Sequence, residues 1–245
     1  MKVVFARFIS GLAAMGLAGI VQAAEGGNKT IDSFGDVIAV GGPALKIIIL
    51  LSAVVVFLVI YFLLSMRAGV LTPALFIEQA SEAARNGDVD ALRNICRTNP
   101  SPAAKVMAAA TEEIDVTGRV DYLAVRDAVE DEGGRQADML WSRLQYLMDI
   151  AGVAPMVGLL GTVFGMLKAF SRMETEVGAV RPDTLAEGVS QALITTAGGL
   201  IVGIGALILY AVFRGRVGHL VAKLEDRCGQ LTRQLIANQP DEKRG

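Results

Sequence analysis

Three stretches of this chain carry no charged side chain, and each is long enough to cross a lipid bilayer. The first, Ile47 to Met66, reads IIILLSAVVVFLVIYFLLSM. At about 1.5 Å per residue such a helix matches a hydrocarbon core about 30 Å thick. The second runs from Ile150 to Leu167, between Asp149 and Lys168, and the third from Gly188 to Phe213. The third is long enough to tilt or to project beyond the lipid. One charge at mid-span costs roughly 2.5–3.5 kcal/mol, so three windows without any predict three transmembrane helices. The composition agrees: 53% of residues are hydrophobic but only 6% aromatic, and the mean hydropathy is +0.48. The fold class read from this is an all-α membrane protein with three transmembrane helices, long helical extensions into the cytoplasm and an N-terminal signal peptide.

The signal reading rests on Lys2 and Arg7, the short apolar core FISGLAAMGLAGIV, and small residues up to Ala23. Cleavage after Ala23 or Ala24 is expected, with an uncleaved anchor as the alternative. Arginine and lysine set the orientation. The segment 171–187 has only Arg172 and Arg181, whereas the tail carries Arg214, Arg216, Lys223, Arg227, Arg233, Lys243 and Arg244. Excess positive charge stays on the cytoplasmic side. The division is then a signal peptide over 1–23, a periplasmic segment over 24–43, transmembrane helix 1 over 44–66 and a cytoplasmic helical region over 67–144. Transmembrane helix 2 over 145–170, a periplasmic loop over 171–186, transmembrane helix 3 over 187–213 and a cytoplasmic tail over 214–245 complete it.

The cytoplasmic region has the punctuation of short helices. Thr72 is placed to cap a helix with Pro73 at its first position, NGD at 86–88 makes a break, and Asp88 caps the next helix. TNPSP ends that helix and Pro102 opens another. Further interruptions are expected at Gly118 and at Gly133–Gly134. MLWSRLQYLMDIAGV has no breaker before Gly152, so the last cytoplasmic helix should run into the second span without a loop.

Several function classes drop out. A net charge of −2 suggests no nucleic-acid partner. One histidine, His219, and two cysteines, Cys96 and Cys228, form no metal-ligand pattern, so no metal or other cofactor is expected. The cysteines read as free thiols. Neither a nucleophile–base pair nor a phosphate loop is present, so an enzyme is not indicated.

The first span reads as a uniform apolar rod facing lipid. The other two differ. On a 100° wheel Ala151, Ala154, Gly158, Gly161, Thr162, Gly165 and Ala169 share a narrow arc of span two. In span three Gln191, Thr195, Gly198, Val202 and Gly205 share one arc, with Thr196, Gly199 and Gly203 on its neighbour. Gly161/Gly165 and Gly199/Gly203 have GxxxG spacing. Small residues let helix backbones approach closely, and threonines can bond to their own helix. The other reading of Thr162, Gln191, Thr195 and Thr196 is a neutral lining for an aqueous path or for a partner's polar residue. No carboxylate, histidine or lysine lies inside any span; Glu187, Lys168 and Asp149 sit at the boundaries. If ions cross here, a partner must bring the charge.

VAPMVGLLGTVFGMLKAF followed by LAEGVSQALITTAGGLIVGIGALILY resembles the ExbB/TolQ/MotA proton-channel family, and the exported N-terminus is closest to its ExbB branch. The resemblance covers roughly Leu45 to Gly229, with NGDVDALRNICRTNPSP similar to the cytoplasmic region. It implies an inner-membrane homopentamer around an ExbD-like single-span partner whose span holds an aspartate, and a TonB-like protein that receives the work. The family's channel threonines match Thr162 and Thr196, and its bending proline matches Pro155. Where familiar ExbB proteins carry a glutamate five residues before the second threonine, this chain has Gln191. Two alternatives stand beside this: a non-conducting oligomeric scaffold, and a Tol-Pal or motility stator.

Overall fold

The computed structural model of the chain describes residues 42–66, 68–117, 121–175 and 182–238. The signal read over 1–23, most of the 24–43 segment, the centre of the 171–186 loop and the end of the tail lie outside the described residues. Every regular element among them is a helix: α1 Gly42–Ser65, α2 Ala68–Leu71, α3 Ala74–Arg85, α4 Val89–Thr98, α5 Pro102–Thr117, α6 Tyr122–Thr175 and α7 Pro182–Ala237. Three of them, α1, α6 and α7, are long and apolar enough to cross a membrane.

The chain divides into two compact units. The first takes its helices from the Met1–Val59 and Tyr146–Ala211 portions, that is, from parts of α1, α6 and α7. Within it α6 and α7 are antiparallel: close approaches pair Ala169 with Gly188, Gly165 with Ala192, Gly161 with Thr195, and Gly158 with Gly199. α1 runs parallel to α7, with Gly42 near Gln191 and Leu45 and Ile48 near Gly198. The alternation suits three consecutive spans. The first span is not apolar rod alone. Ala44, Leu45, Ile48 and Val55 are buried, while Ile47, Leu50, Val54, Val56 and Phe57 are exposed. A helix made only of apolar residues still has one side that a neighbour can cover, and hydropathy without a moment does not reveal which.

The second unit is drawn from Ile60–Gln145 and Val212–Gly245. Its core joins Phe76 and Ala80 of α3, Leu92 of α4, Met107 and Ala110 of α5, Val125 and Val129 of α6, and Leu224, Leu231 and Leu235 of α7. Asp88 caps α4 by accepting from the Ala91 amide at 2.9 Å, and Gly87 takes φ +66 in the break before it. Ser101 receives the Ala104 amide at 3.3 Å where Pro102 opens α5. The α3 start differs from expectation. Pro73, in extended conformation, is itself the cap residue, with no side-chain cap bond, and the Ile77 amide donates to its carbonyl at 3.0 Å. Thr72 therefore stands one residue too early to cap.

Gly133 and Gly134 do not interrupt α6, which is one helix of 54 residues. Two interior glycines cost about 2 kcal/mol against alanine. Burial of Val129, Ala137, Leu140 and Leu144 offsets this, as do ion pairs of Arg126 with Glu130 at 2.6 Å and of Arg135 with Glu132. Pro155 also lies inside the helix.

An aromatic cluster ties three helices of this unit together. Phe62 meets Phe213 edge-on, ring centroids 5.4 Å apart, and both are 1% exposed. Tyr61 lies beside Phe62, and Arg143 Nη1 donates to the Tyr61 hydroxyl at 2.9 Å. Phe213→Ala should lower the stability of the detergent-solubilised protein by about 3–5 kcal/mol, and Phe213→Leu by less.

Cys96 and Cys228 are both buried in this core. Burial pushes each thiol up from 9.0 to about 12, and at Cys228 the neighbouring Cys96 adds to the rise. The folded state thus prefers the protonated thiols. The stability they contribute is complete below pH 9 and is lost as the pH climbs from 9 to about 12. The unfolding midpoint should fall more steeply over that window in the natural protein than in a Cys96→Ala, Cys228→Ala variant.

Candidate functional site in the membrane-spanning helices

The α6–α7 seam is built from residues that lack side-chain volume. A Cβ on Gly199 would stand 2.6 Å from the Ala154 carbonyl oxygen and 3.0 Å from the Gly158 Cα. One on Gly158 would stand 3.0 Å from the Thr195 carbonyl oxygen and 3.2 Å from the Thr196 Cα. Gly165 faces the Gly188 carbonyl oxygen at 2.9 Å, and Gly203 faces the Pro155 ring at 2.7 Å and the Ala151 carbonyl oxygen at 3.0 Å, again measured from an ideal Cβ. Gly161 is as close to Thr195, at 2.7 Å. Backbone meets backbone along this line, and Cα–H groups face carbonyl oxygens across it.

Pro155 has two consequences here. It has no N–H to give the Ala151 carbonyl, and its ring packs on Gly203. The freed carbonyl lies against the glycine that has no side chain to block it.

The four polar residues separate into different surroundings. Thr162 is half-buried and donates to the Leu159 carbonyl of its own helix at 2.6 Å. Thr195 is 0% exposed, and its hydroxyl is shared between the Gln191 and Ala192 carbonyls at 2.8 and 2.9 Å. Thr196 is half-buried and reaches across the seam, donating to the Gly158 carbonyl at 3.2 Å. Gln191 is 8% exposed, with its amide against Gly42. Thr162 lies one helical turn beyond Gly158 on the same side of α6, so Thr162 and Thr196 flank one stretch of seam. Gln191 does not join them; its amide belongs to the side of α7 where α1 approaches, whereas Thr195 lies in the seam against Gly161 with its hydroxyl turned to its own helix.

Three residues of this arrangement escape the sequence reading. Gly188 presses on Ala169 at 2.5 Å from its ideal Cβ, Ala44 comes within 3.1 Å of the corresponding point on Gly161, and Gly42 adopts φ +65. Gly188 carried a readable signal, a small residue one turn before Ala192. Gly42 carried none, because a glycine in the Gly–Gly–Pro lead-in to the span has no periodic context.

These features define a helical membrane protein whose two glycine-rich spans pack antiparallel and keep uncharged hydrogen-bonding groups at membrane depth. The chain belongs to the MotA/TolQ/ExbB proton channel family, whose profile matches residues 98–226, just over half of it. It is 34% identical over 117 residues to an ExbB-like biopolymer transport protein of Synechocystis sp., covering 46% of this chain and 56% of the relative. To the biopolymer transport protein ExbB of Salmonella typhimurium it is 34% identical over 90 residues, 35% of each chain. To the Tol-Pal system protein TolQ of Pseudomonas aeruginosa it is 36% identical over 89 residues, 36% of this chain and 38% of the relative. The chain thus spans about half or less of the length of these relatives. Family membership and the apolar helices support an inner-membrane protein, and the family is one of proton channels, not of enzymes.

The seam makes a paired prediction. Gly199→Ala forces a side chain into backbone and should cost about 1–3 kcal/mol. Gly215→Ala, whose Cβ would meet nothing within 4 Å, should be neutral or stabilising by up to about 1 kcal/mol. Unfolding in detergent, monitored by circular dichroism, separates the two.

Proposed function

We propose that this chain is a stator-type subunit that couples the proton-motive force to mechanical work on a TonB-like envelope partner for outer-membrane transport. Its spans are 44–66, 145–170 and 187–213, with the mature N-terminus and the 171–186 loop periplasmic and the 67–144 region and 214–245 tail cytoplasmic. It assembles as a homopentamer around an ExbD-like single-span protein that brings an intramembrane aspartate. Thr162 and Thr196 line the proton path.

One observation carries this reading. Thr196 holds a half-buried hydroxyl at the α6–α7 seam, bonded to the Gly158 carbonyl, and the charge-free windows 47–66, 150–167 and 188–213 hold no carboxylate, histidine or lysine. A proton relay needs a group that changes charge at depth. This chain offers hydroxyls and backbone carbonyls, and so requires the carboxylate from elsewhere. The family match and the ExbB relatives support the same assignment.

The seam also weighs against the scaffold alternative. Gly158, Gly161, Gly165, Gly199 and Gly203 spend their close approaches within one chain, so they are not left over to join copies. A Tol-Pal machine is the second reading, since the identity to TolQ is as high as that to ExbB.

Thr196→Val keeps the shape and removes the hydroxyl. It should leave assembly with the partner intact while abolishing proton flux into proteoliposomes and energy-dependent uptake in cells. Thr196→Ser should retain both. Normal uptake in the valine variant defeats the assignment.

A further inference from the structure

The polar arc of α7 that holds Gln191 and Thr195 has an occupant within this chain. Gly42, at the start of α1, adopts φ +65, and an ideal Cβ placed on it would clash with the Gln191 side-chain amide nitrogen and stand 3.5 Å from its Cδ. One turn along α7, Thr195 is fully buried. Its side chain lies against Gly161, and Gly161 in turn meets Ala44 of α1. One turn further, the corresponding point on Gly198 stands 3.4 Å from Leu45 Cδ1 and 3.8 Å from Ile48 Cγ2. Ala44, Leu45 and Ile48 are 5%, 3% and 2% exposed. Gln191 thus meets residue 42 and Gly198 meets residues 45 and 48, in the same order along both helices, as two parallel helices do.

We infer that the Gln191–Thr195–Gly198 face of α7 is the docking face for α1, and that Gln191 locks the N-terminal end of α1 there instead of lining an ion path. The long amide reaches sideways where a shorter residue leaves a gap, and Gly42 is the one residue type that admits it. Two requirements fall on Gly42 together, a left-handed backbone and no Cβ. The buried Thr195 hydroxyl is satisfied by carbonyls of its own helix and offers nothing to a passing proton.

This goes beyond the proton-channel reading and does not depend on it, so neither test below uses proton flux, and failure here leaves the Thr196 assignment standing. The first test is a double-variant cycle on the full-length protein in detergent. Gly42→Ala should lower the melting temperature. Gln191→Ala placed in the same chain should recover part of that loss, because it removes the atoms the new methyl meets. Losses that simply add overturn the proposal. The second test holds even where Gly42→Ala does not fold. A Gln191→Cys variant is treated with a charged methanethiosulfonate, with the unsubstituted chain as background for Cys96 and Cys228. The residue should react at least about tenfold more slowly in the native protein than after unfolding in dodecyl sulfate, because burial suppresses thiol reactivity. Equal rates place position 191 in water and overturn the lock.

Discussion

Everything in the membrane-spanning unit depends on two helix backbones coming close enough for carbonyl oxygens to face Cα–H groups. Lipid supplies no hydrophobic drive for helices to associate, so packing and polar contact must do it. Gly158 and Gly199 meet at a separation that would put a Cβ 3.0 Å from the facing Cα. The same closeness exposes the Gly158 carbonyl to a hydroxyl from the other helix, and Thr196 takes it. The bond therefore exists because the glycine does; a larger residue at 158 would separate donor from acceptor. Structure and candidate chemistry have one origin in missing side chains.

α7 divides its sides between two neighbours. Thr196, Gly199 and Gly203 face α6, whereas Gln191 and Gly198 face α1, and Thr195 lies between them against Gly161, which also meets Ala44 of α1. At 100° per residue the two sets sit on adjoining arcs, so a single helix can be gripped by both partners at once. A third side, with Leu193, Leu200, Ile204 and Leu207, is exposed in the single chain. The glycines and hydroxyls of α7 are thus not a single functional row but two packing faces, one of which also holds a hydroxyl half open.

The spans were legible because one physical quantity dominates them: a charge in hydrocarbon costs enough that its absence over eighteen or more residues is informative. The Asp88 cap and the Pro102 helix start were legible for a local reason, since each depends on one side chain or ring beside its own backbone. The small-residue arcs were readable too, because the 100° period puts them on one side. Which neighbour each arc meets was not readable. That needs the register of α1 against α7, set by Gly42 and Ala44, and both lie where the hydropathy pattern is only beginning. Gly133–Gly134 misled for the opposite reason: propensity is a weak local term, and the buried side chains on either side of the pair outweigh it. The uniform hydropathy of α1 hid its covered stripe, because a helix apolar all round gives no directional cue.

Within the proposed function, neutrality at the seam is the useful property. A carboxylate that cycles between charged and neutral forms must not be held in either. A fixed cation beside it would favour the charged form, and each unit of pKa shift so imposed is about 1.36 kcal/mol of bias. A threonine hydroxyl imposes far less, because it donates to a carboxylate and accepts from a carboxylic acid by rotating one bond. Thr196 already has a resting acceptor in the Gly158 carbonyl at 3.2 Å. Turning from that acceptor to a protonated partner's oxygen exchanges one neutral bond for another, a change on the order of 1 kcal/mol, and turning to the carboxylate exchanges it for a charge-assisted bond of about 1.5–3 kcal/mol. A side chain that can switch partners at so little cost, beside a backbone that can take it back, is what a surface needs in order to meet both protonation states of a moving acid.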